Sequence, residues 1–344
     1  MDRVNILLVG AGGIGHGSSI LKALNLSSLN LNIVAADMSP RLIHTADAAT
    51  KEIIPPVSSS SYLDEIEKLV KKYSINAMFT GSEQELDFVG KNKSAFESLG
   101  IKVFLNNQET IGLCKNKFEC FRFLSKNGVD IPKTILIETL DDVAKIDFSP
   151  VVIKPYKNSG ASQNVFIAKD AKELSFICTY LLNRGIDIIA QEYVPFDSNE
   201  YTVGVTTTLE SPTPLGSVVV KKNLEGMSRL FRDGDIVVSS GITHGEVCID
   251  NFIQEKCEQI ATVVGSTGSI NIQLRVKDGK VLPFEINPRF SGTTSARAMA
   301  GYNEPEFFIK KYVLGYEDLT CLTVKKTGFF VKGLDERFIE TKGY

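Results

Sequence analysis

The sequence predicts an α/β domain built on a doubly wound parallel sheet, followed by a mixed α+β region. The apolar run VNILLV at residues 4–9 suits a strand that is buried on both faces. Apolar runs then alternate with helical patterns over roughly the first hundred residues, which is typical of a parallel sheet covered by helices. Past Asn106 short β-rich stretches predominate, and Asp278-Gly279 is a strong hairpin signal between two of them.

Apolar periodicity and flanking glycines predict the individual elements. In the first domain the predicted strands are Val4–Val9, Leu31–Ala36, Ala77–Thr80 and Ile101–Leu105, and the predicted helices are Ser19–Leu26, Tyr62–Tyr73 and Glu85–Leu99. In the second region the predicted helices are Lys115–Lys126, Ala171–Asn183, Asp250–Val264 and Glu304–Leu314. The predicted strands there are Thr134–Ile137, Pro150–Lys154, Val165–Ala168, Ile186–Glu192, Tyr201–Thr207, Gly216–Lys221, Ser269–Val276 and Lys280–Glu285. These elements predict an α/β domain followed by a mixed α+β domain.

The composition excludes several classes of protein. A formal net charge of -3 over 344 residues argues against a nucleic-acid binder, whose surface would be basic. The six cysteines contain no CxxC pair, so they are read as reduced thiols of a cytoplasmic protein. No apolar run approaches the ~18 residues of a membrane span. We therefore expect a cytoplasmic protein with small-molecule partners.

The sharpest cluster of candidate site residues lies at the predicted hairpin. Glu285 and Asn287, in FEINPRFSG (284–292), point to the same side because side chains alternate along a strand. The antiparallel partner strand can place Gln273 beside them. Three oxygen donors, only one of them charged, suit Mg²⁺, which takes the rest of its shell from phosphates and water. Arg289 follows at once and suits bidentate phosphate binding; the alternative is a surface carboxylate paired with Arg289.

The segment FEINPRFSGTT closely resembles the metal and phosphate segment of the ATP-grasp superfamily. The resemblance is greatest to members similar to the carbamoyl-phosphate synthetase large chain and the pyrrolysine-pathway ligase. It covers nearly the whole chain, because TGSEQELDF (80–88) also looks like part of the family's N-terminal domain. The resemblance implies a pre-ATP-grasp α/β domain over residues 1–106 and an ATP-grasp domain of two subdomains, over residues 107–185 and 186–344, the last with a metal site and a C-terminal tail. It also implies an ATP- and Mg²⁺-dependent carboxylate–amine ligase that works through an acylphosphate.

The resemblance also implies a role for individual residues. Residues that match the family's nucleotide site are Lys117, Lys154, Ser159, Gly160, Ser162, Glu192, Tyr193, Val194 and Glu200. The two lysines would meet the phosphates, Glu192 the adenine amino group and Glu200 the ribose hydroxyls. Small side chains in the loop 157–163 let backbone N–H groups approach phosphate oxygens, although relatives usually carry more glycine there. Gln273, Glu285 and Asn287 would hold one or two Mg²⁺ ions, with Mn²⁺ as a substitute, and Arg289 would stabilise the transferring phosphoryl group.

A competing motif lies at the N-terminus. GAGGIG (10–15) fits G-x-G-x-x-G, follows a strand, and has Asp37 at the end of the next strand. This arrangement is the dinucleotide fingerprint, so an NAD-dependent oxidoreductase is the alternative function. The glycines Gly12 and Gly13 can instead permit a tight turn, or hold a substrate carboxylate with their amide groups.

Four further residues are weaker candidates for substrate contacts. Arg229 and Arg232 lie where relatives have a loop near the acceptor site, and a solvated loop is the alternative. His244, in THGE, is either a site residue or a hydrogen-bonded structural histidine. Arg297 follows Arg289 by one or two helical turns and could bind the substrate carboxylate. A non-catalytic nucleotide-binding protein is a further alternative, against which the intact metal trio argues. The expected substrates are a small carboxylate and an amine, and the resemblance is compatible with a homodimer.

Overall fold

A computed structural model describes residues 3–157, 164–197 and 199–333 of the chain. They form two compact units. The first unit combines Met1–Gln108 with Arg289–Tyr344, and the second unit is Glu109–Pro288. Ser159, Gly160 and Ser162, which were predicted to contact phosphates, lie outside the described residues.

The helices and strands follow one another in this chain order. The elements up to residue 108 are β1 (Val4–Val9), α1 (His16–Asn25), β2 (Leu31–Asp37), β3 (Thr50–Ile53), α2 (Tyr62–Tyr73), β4 (Ala77–Thr80), α3 (Glu83–Lys91), α4 (Lys93–Ser98) and β5 (Lys102–Val103). Those that follow are α5 (Gln108–Lys115), α6 (Lys117–Lys126), β6 (Thr134–Ile137), β7 (Val151–Pro155), β8 (Phe166–Ala168), α7 (Ala171–Leu182), β9 (Ile188–Glu192), β10 (Glu200–Thr207) and β11 (Pro214–Asn223). The last are β12 (Arg229–Asp233), β13 (Ile236–Ser239), β14 (His244–Cys248), α8 (Asn251–Val263), β15 (Ser269–Lys277), β16 (Lys280–Asn287), α9 (Thr294–Met299), α10 (Glu304–Tyr312) and β17 (Gly328–Phe330).

The first unit contains the predicted parallel sheet, in the order β3-β2-β1-β4-β5. Strand β4 is buried along its whole length and β1 nearly so, as their continuous apolar runs predict. Phe290 and Phe308 of the C-terminal segment pack against aromatic rings of this domain. The ring centres of Phe290 and Phe79 are 5.5 Å apart, and so are those of Phe308 and Phe104. The parallel sheet confirms the predicted fold class. The aromatic contacts show that the segment after residue 288 packs with the N-terminal domain. The predicted bounds at residues 106 and 185 assigned that segment to the last subdomain, and they stay a prediction.

One predicted helix of this unit is two helices. The sequence predicted a single helix over Glu85–Leu99, whereas α3 ends at Lys91 and α4 begins at Lys93. Asn92 lies between them with φ -113° and ψ 20°, and its side-chain amide donates a hydrogen bond to the carbonyl of Phe88 at 2.8 Å. An asparagine side chain that bonds to the backbone competes with the helix, which explains the break.

The second unit contains two antiparallel sheets. The smaller has the order β6-β9-β7-β8, and helix α7 packs against it. The larger contains the strands β16, β15, β10, β11 and β14 in that order, with α6 and α8 packed on one side. Asp278 and Gly279 both have positive φ, so the predicted hairpin turn between β15 and β16 is confirmed.

The larger sheet has one apolar and one polar face. Side chains such as Val203, Ile272 and Ile286 point into the core shared with α6 and α8. Their neighbours in the chain are polar and therefore point to the opposite face. The β12–β13 hairpin was not predicted, because β12 is exposed along its whole length and its sequence, RLFRD, does not alternate.

Within the described part of the chain, no helix is both long and apolar enough to cross a membrane.

Three glycines of the first unit approach one another closely. A Cβ atom at Gly17 would lie 2.1 Å from the carbonyl oxygen of Gly10 and 3.0 Å from the Cα of Gly81. The Gly17 amide donates to the Gly81 carbonyl at 3.2 Å, which joins the start of α1 to the end of β4. The close approach therefore excludes a side chain at Gly17, two residues after GAGGIG, next to Gly10 of that motif.

We predict that Gly17→Ala lowers the free energy of unfolding by about 2 kcal/mol or more, because backbone atoms must move apart. Gly15→Ala is the matched control, since a Cβ there would meet nothing within 4 Å. Urea denaturation of the two variants checks this, and equal stability of both would contradict it.

Candidate functional site

The polar face of the larger sheet gathers the three predicted metal residues and Glu200, all from the second unit. Its side chains come from β10, β11, β15 and β16: Glu200, Thr202, Lys222, Asn271, Gln273, Arg275, Glu285 and Asn287. Gln273 lies opposite both Glu285 and Thr202, and Asn271 lies opposite Asn287. The predicted proximity of the metal trio is therefore present in the strand register.

The trio has the donor chemistry of a hard-cation site. The Gln273 side-chain amide donates to the Glu285 carboxylate at 2.5 Å, and Asn287 supplies a second amide two residues further along β16. No group of three or more His, Cys, Asp and Glu side chains that could hold a metal occurs among the described residues. One carboxylate with amide oxygens fits Mg²⁺ if phosphates and water complete its shell.

Lys154 is held beside this trio. It lies on β7 and is 7% exposed. Its ammonium donates to Gln191 Oε1 and to the Phe284 carbonyl, both at 2.8 Å, and it lies 5.4 Å from the ring centre of Phe121. The pKa of Lys154 is lowered to about 7, mainly by burial and also by the charge of Lys117, while Glu285 opposes both effects. The two oxygens that hold this ammonium are neutral, so its charge is suited to meet a phosphate.

Lys117, the first residue of α6, lies near Lys154. Its backbone N–H donates to the carbonyl of Tyr156 at 2.9 Å, just after β7. The Asn116 side chain caps the helix by accepting from Glu119 N–H at 3.1 Å. Because Lys117 lowers the pKa of Lys154, the two cations are close enough to repel one another, which an anion between them would relieve.

The predicted adenine segment follows β9. The Glu192 N–H donates to the Lys133 carbonyl at 2.8 Å, and the Tyr193 N–H donates to the Pro150 carbonyl at 3.1 Å. The Val194 carbonyl accepts from Arg275 Nη1 at 2.5 Å. The segment is thus fixed by backbone hydrogen bonds, while its role toward adenine stays a prediction.

Glu200 is placed differently from a residue that meets ribose. Its side chain is buried, with Oε1 3.0 Å from Lys222 Nζ and Oε2 2.8 Å from Arg275 Nη2. Burial by itself would raise the pKa of Glu200, but the two cations lower it below its ordinary value. Both carboxylate oxygens are engaged in ion pairs, so ribose binding would have to compete with them.

The backbone amides of the glycine-rich turn in the first unit donate hydrogen bonds to side chains of the same unit. The Gly12 N–H donates to Asp37 Oδ2 and the Gly13 N–H to Thr45 Oγ1, both at 2.8 Å. Asp37 Oδ1 accepts from the Ser39 N–H at 2.8 Å. The groups that would hold a dinucleotide or a substrate carboxylate are therefore already paired, which disfavours the oxidoreductase alternative.

The predicted arginines of the first unit have carboxylate partners. Arg289 Nε donates to Glu83 Oε1 at 2.5 Å, and its Nη1 donates to the Phe290 carbonyl at 3.0 Å. Arg297 is fully buried, with Nη1 3.3 Å from Glu304 Oε2. Arg289 remains partly exposed, whereas a substrate contact by Arg297 would require the interior to open.

The remaining candidates lie on strands of the second unit. Arg229 and Arg232 are exposed on β12, where Arg232 Nε donates to the Gly234 carbonyl at 3.3 Å. His244 begins β14, opposite Asn223. The loop predicted around Arg229 and Arg232 is therefore a hairpin. The roles of these arginines and of His244 toward substrate stay predictions.

Sequence reasoning missed three residues that hold the site together. Gln191 accepts from Lys154, and Lys222 and Arg275 bind Glu200. Arg275 lies two residues after Gln273, so strand alternation indicates that it shares the polar face. No comparable signal marks Lys222, because its strand was predicted to end at Lys221.

Comparison with known families identifies both parts of the chain. Residues 114–293 match the family described as ATP-grasp domain, and residues 6–104 match the PylC-like N-terminal domain. The carbamoyl phosphate synthase large chain of Clostridium botulinum (strain Eklund 17B / Type B) is 24% identical over 309 residues, which is 85% of this chain and 27% of that protein. The chain thus spans about a quarter of the length of that relative.

Solved structures resemble the chain over most of its length. An L-amino acid ligase from Bacillus licheniformis matches with a TM-score of 0.68 and 17% identity, covering 95% of this chain and 79% of that one. A D-alanine–D-alanine ligase from Bacillus anthracis matches with a TM-score of 0.58 and 15% identity, covering 91% and 97%. At these identities the likeness establishes the shared fold.

We predict that Lys154 makes stability rise with pH. In the unfolded chain Lys154 has its ordinary pKa of 10.5 and stays protonated above pH 7. In the folded chain its pKa is about 7, so it loses that proton over the same range. The free energy of unfolding of the wild type, relative to Lys154→Met, should therefore rise by about 1 kcal/mol per pH unit between about pH 7 and 9.

Urea denaturation across this range checks the slope. The control is Lys280→Met, because the Lys280 ammonium is exposed and paired with Asp130 at 2.8 Å. Parallel pH profiles for the wild type and Lys154→Met would show that Lys154 stays protonated in the fold.

Proposed function

Since the chain belongs to the ATP-grasp family, we propose that it is an ATP- and Mg²⁺-dependent ligase that joins a carboxylate to an amine. The observation that carries this proposal is the juxtaposition of Lys154, Lys117 and Glu285 in the second unit. Lys154 lies close enough to the charge of Lys117 and to the carboxylate of Glu285 for both to act on its pKa. A metal–triphosphate complex has complementary charges: its phosphates are negative, which suits the lysines, and its metal ion is positive, which suits the carboxylate.

Each end of the nucleotide has candidate partners. Lys154 and Lys117 would bind the phosphates, and the backbone around Glu192–Val194 would pair with adenine. Glu285, Asn287 and Gln273 form the metal end of the site, and Mn²⁺ is expected to substitute for Mg²⁺. A bound divalent ion would supply charge neutralisation at the phosphates.

The chemistry proceeds in two displacements. A carboxylate oxygen of the substrate attacks the γ-phosphorus, and the bond to the β-phosphate oxygen breaks to release ADP. The amine nitrogen then attacks the carbonyl carbon of the acylphosphate, phosphate leaves, and the nitrogen loses a proton to give an amide. We assign to Arg289 the stabilisation of charge on the transferring phosphoryl group, because it follows Asn287 by two residues and resembles the family's phosphate-binding arginine.

The protein's contribution is position and charge. Lys154 is fixed by hydrogen bonds to Gln191 and the Phe284 carbonyl, so little side-chain entropy would be lost when it contacts a phosphate. A lysine with a pKa of about 7 also gains its proton when phosphate binds, since an anion raises the pKa of a neighbouring amine. No side-chain nucleophile is needed, because the substrate carboxylate attacks.

We predict that Glu285→Gln abolishes turnover while the fold is kept. The substitution removes the single charge of the metal trio and keeps the size of the side chain. Activity should fall by about 10³-fold or more at saturating Mg²⁺, in line with loss of a metal ligand. Circular dichroism controls for folding, and near-normal turnover would refute the metal assignment.

We predict that hydroxylamine intercepts an acylphosphate. With a suitable acid, Mg-ATP and no amine substrate, hydroxamate should form in proportion to ADP, and Arg289→Ala should lose both products together. A screen of small carboxylates identifies the acid. Acid-dependent ADP release that never yields hydroxamate would indicate phosphorylation of a hydroxyl or amine, and the ligase proposal would fall.

A further inference from the structure

His16 is a titratable residue that the proposed reaction leaves without a role. It is the first residue of α1 and follows the glycine-rich turn directly. The backbone of Ser82 holds its imidazole by a hydrogen bond. The ring nitrogen Nε2 is buried and has no hydrogen-bond partner among the residues that the structure describes. Buried polar atoms in folded proteins nearly always have a partner, so Nε2 is suited to receive one from a bound molecule.

The surroundings of His16 keep its imidazole uncharged. Its pKa is lowered well below the ordinary value of 6.5, mainly by burial and also by the charge of Arg289, while the hydrogen bond to Ser82 opposes both effects. The N-terminal end of α1 acts in the same direction as burial, because the helix dipole disfavours a cation there. A neutral imidazole that donates through one nitrogen carries a lone pair on the other. Nε2 is therefore an acceptor of hydrogen bonds and of protons.

Arg289 connects His16 to the phosphoryl group of the proposed reaction. Its Nε is bonded to Glu83 at 2.5 Å, and its charge lowers the pKa of His16 even so. The proposed function assigns to Arg289 the charge of the transferring phosphoryl group. A phosphoryl dianion there would offset the charge of the guanidinium, so the pKa of His16 would rise. His16 would thus become a stronger base once the acylphosphate has formed.

We infer that His16 is the catalytic base that prepares the amine: its Nε2 takes a proton from the substrate ammonium group, and the freed lone pair of the nitrogen attacks the acylphosphate. The inference rests on the proposed function and adds the class of amine, which is a primary amine that arrives as its ammonium ion. The nitrogen loses two protons between the ammonium ion and the amide. One passes to His16 and then to solvent, and the other leaves with the phosphate when the bond between the carbonyl carbon and the phosphate oxygen breaks.

A comparison of two nucleophiles tests this inference. Hydroxylamine is uncharged at neutral pH and needs no base to free its lone pair, whereas a primary amine is an ammonium ion. Both are supplied, with the acid and Mg-ATP, to the wild type and to His16→Asn; the amine is the one that the wild type uses best in a panel from methylamine to the α-amino acids. Asparagine keeps an N–H group near the Ser82 backbone and removes Nε2. We expect amide formation to fall by about 10²-fold or more while hydroxamate formation stays within about twofold.

His44→Asn is the matched control, because His44 is exposed and belongs to the same unit. It should leave both products unchanged. If His16→Asn loses both products equally, or keeps amide formation, the inference alone is overturned; circular dichroism verifies that the variant is folded. A wild type that forms hydroxamate but no amide with any amine of the panel also overturns the inference. A wild type that forms no hydroxamate from any acid overturns it together with the proposed ligase.

A second measurement needs no His16 variant and therefore holds even if His16→Asn fails to fold. The chain has three histidines, so the ring signals of His16 are assigned in NMR spectra by exclusion, with His44→Asn and His244→Asn. The wild type is titrated alone and with Mg²⁺, ADP and orthovanadate, an analogue of the transferring phosphoryl group. We expect His16 to titrate at a pH at least about one unit higher in the complex, because the anion offsets the charge of Arg289. An unchanged midpoint would overturn the inference.

Discussion

The second unit depends on one constraint: charged side chains that strand alternation places on a sheet face must find partners. Glu200 is fully buried, and an isolated buried carboxylate would cost several kcal/mol. Lys222 and Arg275 supply two positive charges to its two oxygens. These three side chains stabilise the polar face of the larger sheet. They lie next to the predicted metal trio, because Lys222 also contacts Gln273.

The same cluster fixes the segments around it. Arg275 also donates hydrogen bonds to the carbonyls of Val194 and Val237, at 2.5 and 2.7 Å. The Tyr193 hydroxyl accepts from the Val237 N–H at 2.7 Å. One guanidinium therefore joins the proposed adenine segment to the β12–β13 hairpin. A fixed fork of donors is what allows arginine to do this, and lysine offers no equivalent geometry.

The glycine-rich turn of the first unit shows how one motif serves two physical purposes. In a dinucleotide site its amides would face a ligand, whereas here Asp37 and Thr45 accept from them. What remains essential is the absence of a Cβ at Gly17, where the backbones of Gly10 and Gly81 approach. Packing between a strand, a turn and a helix therefore requires a glycine at position 17, two residues after the motif.

The sequence by itself determined the fold class and the position of the metal trio. Continuous apolar runs predicted the parallel sheet, and a two-residue period around Asp278-Gly279 predicted that Gln273 would lie opposite Glu285; both signals are local. The tertiary structure decided what each polar group is paired with. Lys222 comes from a strand fifty residues away from Gln273, and the pKa of Lys154 depends on burial and on Lys117. Pairing across strands and desolvation are properties of the folded arrangement, so no local pattern could reveal that Glu200 is held by two cations.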